Sequence, residues 1–333
     1  MIALPIPLIV SLVLGFLFVR AWVRRDRPRL FLALLAACAL QGVVVSLCQH
    51  YGLNGLLAVQ PVTATVIPPL AWVTLQTTAI RAPDPRRDLV HLAAPAFTAF
   101  CVLFASPALD VVVPGTFAVY GAAILVALRP GTDSLPLAKL EAGDLPALVW
   151  RAIAAALILS ALSDVLIALS HAAGAHWLAP LIVSLGSSLW LLAIGALSLS
   201  QSLDGGEDAP QEAPAGASEP DTTLIAALES LMEKDALYLD PDLTLARLAR
   251  RLRVPAKRLS AAVNRATGEN VSRFINGFRI RHACSRLATG ANVTAAMLDS
   301  GFNTKSNFNR EFLRVTGATP SDWIAQKHAK PPA

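Results

Sequence analysis

Two stretches in the last third of the chain set cations, hydroxyls and amides on helical spacing. The first holds Lys257, Arg258, Ser260 and Asn264; the second holds Thr304, Lys305, Ser306, Asn307 and Arg310. Lysine and arginine in such positions neutralise phosphates, and asparagine, lysine and arginine hydrogen-bond base edges in a major groove. A basic helix taken alone is ordinarily a solvated face, so the role of these residues depends on the elements that hold them. A different group lies upstream. Asp164 is the only acid well inside a long apolar run, and Ser160, Asp164 and His171 share one helical stripe. Ionisable groups in apolar helices turn toward a bundle interior, so Asp164, His171 and His50 are candidates for a signal pocket. The plainer alternative is a hydrogen-bonded Asp164 with histidines in loops. The histidines of HAAGAH (171–176) are five apart, an unpersuasive metal spacing. No metal site or cofactor is expected. The apolar N-terminal region has no HExxH, no Ser/His/Asp order and one acid inside a span, so an enzyme is not expected.

The elements that position the C-terminal residues are legible. In LTLARLARRLRVPAKRLSAAVN (243–264), Thr244 can cap a first helix whose apolar face is Leu245, Leu248, Ala249 and Leu252. Arg253-Val254 makes a turn and Pro255 opens a second helix, with Leu259 and Val263 inward and Lys257, Ser260, Ala261 and Asn264 outward. Gly268 ends it. One long helix follows over 270–290, with Phe274, Phe278 or Ile280, and Leu287 inward. A second pair comes next: Thr294–Ser300, a Gly301-Phe302 turn, then Thr304–Val315 with Phe308, Phe312 and Val315 inward. Gly317 stops that helix, and Thr319-Pro320-Ser321-Asp322 opens a last one anchored by Trp323. Two such units on a helix of roughly 28 Å suit successive major grooves, about 34 Å apart.

GFNTKSNFNREFLRVTGATPSDW (301–323) resembles the signature of the AraC/XylS family of bacterial transcription regulators, through Gly301, Phe302, Ser306, Phe308, Arg310, Phe312, Gly317, Thr319, Pro320 and Trp323. The resemblance covers 230–326. It implies two helix-turn-helix units joined by a long helix, double-stranded promoter DNA as partner, and RNA polymerase beside it. Lys305, Ser306, Asn307 and Arg310 then match the second recognition helix, and Lys257, Arg258, Ser260 and Ala261 the first. Pro255, Ala261 and Val263 stand where the family usually has serine, arginine and phenylalanine. The family's usual N-terminal sugar-binding barrel has no counterpart here.

In its place is a region built for lipid. The chain has 333 residues, 54% hydrophobic and 15% charged, against about 25% charged in a soluble domain; a wholly soluble enzyme and a disordered chain are both excluded. Residues 1–200 hold 11 Lys+Arg and 8 Asp+Glu, 201–220 none and 5, and 221–333 hold 17 and 10, for net charges of +3, −5 and +7. Seven apolar windows approach the length a bilayer demands: Leu4–Val23, Leu30–Cys48, Val62–Ile80, Leu89–Pro107, Val111–Leu128, Trp150–Ser170 and Trp177–Ser200. All Lys and Arg between them fall in alternate connections. By the positive-inside rule that side is cytoplasmic, which puts the N-terminus in the periplasm and the C-terminal domain in the cytoplasm of a bacterium.

The expected architecture is therefore all-α: a seven-transmembrane helix bundle (1–200), an acidic flexible linker (201–221), and a cytoplasmic double helix-turn-helix DNA-binding domain (222–330). The linker, at about 20 residues, spans roughly 25 Å. Cys38, Cys48 and Cys101 read as buried small hydrophobes, with a Cys48–Cys101 bridge the alternative. The Leu224–Met232 stripe is ordinary core or the face of a homodimer. For the bundle, three roles stand: sensing a small ligand, anchoring or binding a membrane protein partner, or a transporter with a regulatory tail.

Overall fold

Apolar residues on every face of the first helices are the mark of segments that satisfy backbone polarity internally and leave side chains to lipid. The computed structural model describes residues 5–25, 28–175, 177–179, 181–183, 186 and 219–329, and among these the regular elements are all helical. Its contacts divide the chain into two units, Met1–Arg129 with Val149–Ser198, and Pro130–Leu148 with Leu199–Ala333.

The first unit contains α1 (Ile6–Arg24), α2 (Arg29–Gln49), α3 (Gln60–Leu75), α4 (Pro85–Asp88), α5 (Ala93–Phe104), α6 (Leu109–Ala127) and most of α7 (Leu145–Ala172). Five helices among the described residues are long and apolar enough to cross a membrane: Ile6–Arg24, Arg29–Gln49, Pro85–Phe104, Ser106–Ala127 and Leu145–Ala172. Their outward side chains are large and apolar, with Phe16 66% and Phe104 73% exposed, a surface that water does not tolerate in quantity. Where helices meet closely the contact residue is small. A Cβ on Gly42 would lie 2.1 Å from the Ser11 hydroxyl, and one on Gly121 would lie 2.8 Å from Ile158.

The third expected span departs from expectation. It is helical, α3 continuing as a π-turn over Gln76–Ile80, but threonines lower its apolar character. The hydroxyls of Thr65, Thr74, Thr77 and Thr78 donate to the carbonyls of Pro61, Leu70, Val73 and Thr74 within the same helix. Thr65, Pro68, Pro69, Ala71, Thr74 and Leu75 are buried, because α2, α5 and α6 pack against this helix. The seventh expected span lies mostly outside the described residues, as do His176 and the linker over 201–218. Cys48 and Cys101 are buried free thiols.

The second unit carries α8 (Glu219–Asp235), α9 (Leu245–Arg251), α10 (Ala256–Thr267), α11 (Val271–Ala288), α12 (Val293–Asp299), α13 (Lys305–Thr316) and α14 (Pro320–Ala329). The start of α8 takes in Glu219–Asp221, the end of the expected linker. Caps set most boundaries. Thr244 Oγ1 accepts from Arg247 N at 3.3 Å, Asn270 Oδ1 from Arg273 N at 2.9 Å, and Asn292 Oδ1 from Ala295 N at 2.8 Å. The Thr319 hydroxyl accepts from Asp322 N and donates to its carboxylate. One core gathers Leu224, Leu228, Met232, Leu248, Leu259, Val263 and Ile275 around the first pair of helices; another gathers Ile280, Leu287, Met297, Phe302, Phe308 and Phe312 around the second. Two expectations are corrected. On α11 the buried apolar side chains are Val271, Ile275, Ile280, Ala283 and Leu287, so that Ile280 rather than Phe278 is the inward residue, and Phe274 is only partly buried. Val315 is 38% exposed, since the last turn of α13 runs past the core and lines an open groove with Phe274 and Phe278.

Gly301 makes the tightest demand. Its φ is +79°, and a Cβ there would meet the carbonyl oxygens of Tyr238 and Leu239 at 2.6 and 2.8 Å. Gly317 has φ +73° with nothing within 4 Å. Gly301→Ala should lower the stability of 219–329 by about 3 kcal/mol or more, from left-handed strain together with overpacking. Gly317→Ala should cost only about 1 kcal/mol. Native-state hydrogen exchange across 219–329 in the full chain measures both, and equal effects would show that the Tyr238–Leu239 contact carries no cost.

Candidate nucleic-acid interface

Each half of the second unit has the same local construction: a seven-residue helix, a tight turn through a left-handed residue, and a twelve-residue helix. In the first half the turn residue is Arg253, φ +56°, and in the second it is Gly301. The two halves are joined by the 18 residues of α11, about 27 Å of helix.

At the junction sits Arg279, fully buried. Its Nε donates to the carbonyl of Tyr238 at 2.6 Å, one terminal nitrogen to that of Asp240 at 2.8 Å, and the other to Asn276 Oδ1 at 3.0 Å. The guanidinium also lies 5.6 Å from the centre of the Phe302 ring. Burial lowers it to about 10, against the pull of Glu141, Asp240 and Glu311, so it stays cationic at neutral pH. One side chain thereby fixes the segment after α8 and the turn of the second half to a single helix.

The outward faces carry the residues singled out in the sequence. On α10, Lys257, Arg258 and Asn264 are exposed, while Ser260 and Ala261 are half-buried. On α13, Lys305 and Ser306 are exposed, as is Thr304 just before it. Asn307 is a correction: expected outward, it is buried at 6% exposure, because α13 turns Asn307, Phe308, Glu311 and Phe312 inward together. Arg310 is half-buried and donates to the carbonyl of Ala142 at 3.1 Å.

Ion pairing sorts the cations. Arg265 forks onto Asp221 at 2.8 and 3.0 Å. Arg286 pairs with Asp299 at 2.7 Å, and Arg314 with Glu311 and Glu269 at 2.9 and 3.0 Å. These cations are neutralised within the unit. Lys257, Arg258 and Lys305 make no ion pair among the described residues, and all three sit at the start of a twelve-residue helix. Free cations grouped at the first turns of two parallel-built helices are what a polyanion would meet.

Residues 130–148 play a part that their own composition does not announce. Asp133 Oδ2 accepts from the Ser260 hydroxyl at 2.7 Å, and burial raises its carboxyl above the ordinary value, opposed by Ser260 and the Val271 N–H. Asp144 accepts from Asn270 at 3.0 Å and Arg273 at 3.0 Å. The one available signal was charge: three acids and one lysine in a segment facing a basic domain.

The upstream candidates remain separate in kind. Asp164 is half-buried on α7, His171 is exposed seven residues later, and His50 is exposed and edge-on to Tyr51 at 5.2 Å. Another polar cluster lies elsewhere in the first unit, where His91 Nδ1 is 2.8 Å from the Tyr120 hydroxyl and Trp72 is edge-on to the same imidazole. No group of three His, Cys, Asp or Glu among the described residues could hold a metal ion.

Among known proteins, residues 248–326 match the family model described as a helix-turn-helix domain. No curated protein and no solved structure matches the chain.

Arg279→Lys would keep the charge but present one ammonium where a planar fork reaches three acceptors. Stability of 219–329 should fall by about 2–4 kcal/mol, read by hydrogen exchange at both helix pairs. A loss confined to one pair would contradict the role of Arg279 as their junction.

Proposed function

We propose, proceeding from an AraC-type helix-turn-helix domain at residues 248–326, that the chain is a membrane-bound transcription regulator of bacteria. Its domains are a seven-helix membrane part (1–200), an acidic linker (201–221) and a DNA-binding part (222–330). The observation that carries this reading is the placement of Lys257, Arg258 and Lys305, cations without ion pairs among the described residues, at the first turns of two helices built alike and joined by one helix near the length of a DNA turn.

In this reading α10 and α13 enter successive major grooves of one duplex. Lys257, Arg258 and Lys305 neutralise phosphates. Thr304, Ser306, Asn264 and Ser260 hydrogen-bond backbone or bases, Arg310 reads a base edge through its fork, and Asn307 supports α13 from beneath. The membrane part lies in the inner membrane with its N-terminus periplasmic and the second unit cytoplasmic, supported by the five membrane-length helices and the one-sided distribution of arginine and lysine. It senses a signal, with Asp164, His171 and His50 as the candidate receiving residues, and passes the response to promoter DNA and RNA polymerase.

The test is fluorescence anisotropy of the full-length protein in lipid nanodiscs, with a duplex selected by that protein from random sequence and a scrambled control. Arg310→Ala should cost about 1–3 kcal/mol of discrimination between the two duplexes, and Lys305→Ala should weaken both about equally and lower the salt slope by about one. Equal binding of both duplexes by wild type and Arg310→Ala would refute base reading by α13. Separately, Asp164→Ala in an inserted protein should blunt induction of a reporter; unchanged induction removes Asp164 from the sensing account.

A further inference from the structure

Residues 130–148 connect α6 to α7 in the chain, yet they pack as part of the DNA-binding unit. Leu135 and Leu140 are 2% and 5% exposed, and Leu140 belongs to the core of Leu224, Leu228, Met232, Leu243 and Leu248. Its N–H donates to the carbonyl of Leu243 at 3.0 Å. Its own carbonyl accepts from the Ser272 hydroxyl and from Asn276 Nδ2. Lys139 forms an antiparallel bridge with Thr244, and Ala246 N–H donates to Pro136 O at 3.0 Å. The middle of the segment is thus built into the fold.

On either side of that plug the segment reaches residues assigned to DNA. Asp133 Oδ2 accepts a hydrogen bond from the Ser260 hydroxyl on α10. Glu141 accepts from the N–H of Asn303 at 2.7 Å, and the carbonyl of Ala142 accepts from Arg310 on α13. Gly143, at φ +58°, brings the backbone so close that a Cβ would stand 2.9 Å from the Arg310 guanidinium. Carboxylate and carbonyl oxygens are the acceptor types that phosphates and base edges also present. The segment itself holds one lysine and three acids, a net −2, so a duplex approaching the same face is repelled as well as obstructed.

We propose that the 130–148 connection is an intramolecular occupant of the DNA-reading face, holding Ser260 and Arg310 in the DNA-free protein, so that a duplex must displace its two ends while Leu140 stays seated. This rests on the reading of the unit as promoter-binding. It also names the route of control. The ends of the connection run directly into α6 and α7, so a change in those helices alters how readily Ser260 and Arg310 are released, with no need for a signal to travel through the linker.

Two measurements on the full-length protein in nanodiscs test this, with the selected duplex as probe. First, Asp133→Ala/Asp144→Ala should bind the duplex about fivefold or more tighter than wild type, within the range of ordinary site–site coupling, and the gain should persist at high salt, where the removed charges are screened. Second, in the wild type, hydrogen exchange at peptides containing Ser134 and Ala142–Gly143 should speed up when duplex is added, while 257–264 and 305–310 slow down. The proposal is overturned if the double variant binds no tighter at high salt, or if the 130–148 amides keep or gain protection while 305–310 becomes protected. Absence of duplex binding by every form would instead refute the promoter-binding reading, and the proposal with it.

Discussion

Leu140 is the constraint on which the arrangement of this chain turns. Its side chain is core of the helical C-terminal unit, and its backbone pairs with Leu243 on one side and with Ser272 and Asn276 on the other. Burial of a leucine side chain is worth about 2 kcal/mol, and the hydrogen bonds to its backbone add to that. A connection between two membrane-length helices is therefore no free loop, because the C-terminal fold needs it to fill its own core. The linker over 201–218 is a second covalent link between the two regions. The chain consequently enters the DNA-binding unit twice: the later entry leads into α8, which packs on α10, and the earlier one touches α10, α11 and α13.

The other fixed point is Arg279. Burying a guanidinium is costly unless every donor finds an acceptor, and here the acceptors come from Tyr238, Asp240 and Asn276, with the Phe302 ring nearby. The same short segment, Tyr238–Leu239, lies against Gly301. Three elements far apart in sequence are thus held at one place: the stretch after α8, the middle of α11, and the turn before α13. That junction sets the spacing of α10 and α13, and with it the separation of their outward residues.

Much of this was legible in the amino acids because it is written in local chemistry. Thr244, Gly268, Gly301, Gly317 and the Thr319–Asp322 box mark element boundaries within a residue or two, and Leu259, Val263, Phe308 and Phe312 point inward as their spacing requires. Helical phase near the ends of elements was less secure. Asn307 is polar yet buried, and Val315 is apolar yet exposed, because the core extends to the first turn of α13 and ends before its last. The third expected span looks like its neighbours in sequence, and its position among α2, α5 and α6 supplies cover for its threonines. The role of 130–148 was not legible. Its prolines, glycines and acids have loop composition, and its partners lie more than a hundred positions away, as with Asp133 and Ser260. No local pattern encodes such a pairing; only the opposed charge of segment and domain hinted at it.

In the proposed function one polypeptide holds a lipid-facing half and a half that grips a duplex through two equivalent helices. Hydroxyl-radical footprinting of a selected duplex by the full-length protein in nanodiscs addresses that claim most directly. Two protected patches on one face of the duplex, about one helical turn apart, are the predicted result. A single patch, or featureless protection along the whole duplex, would contradict it.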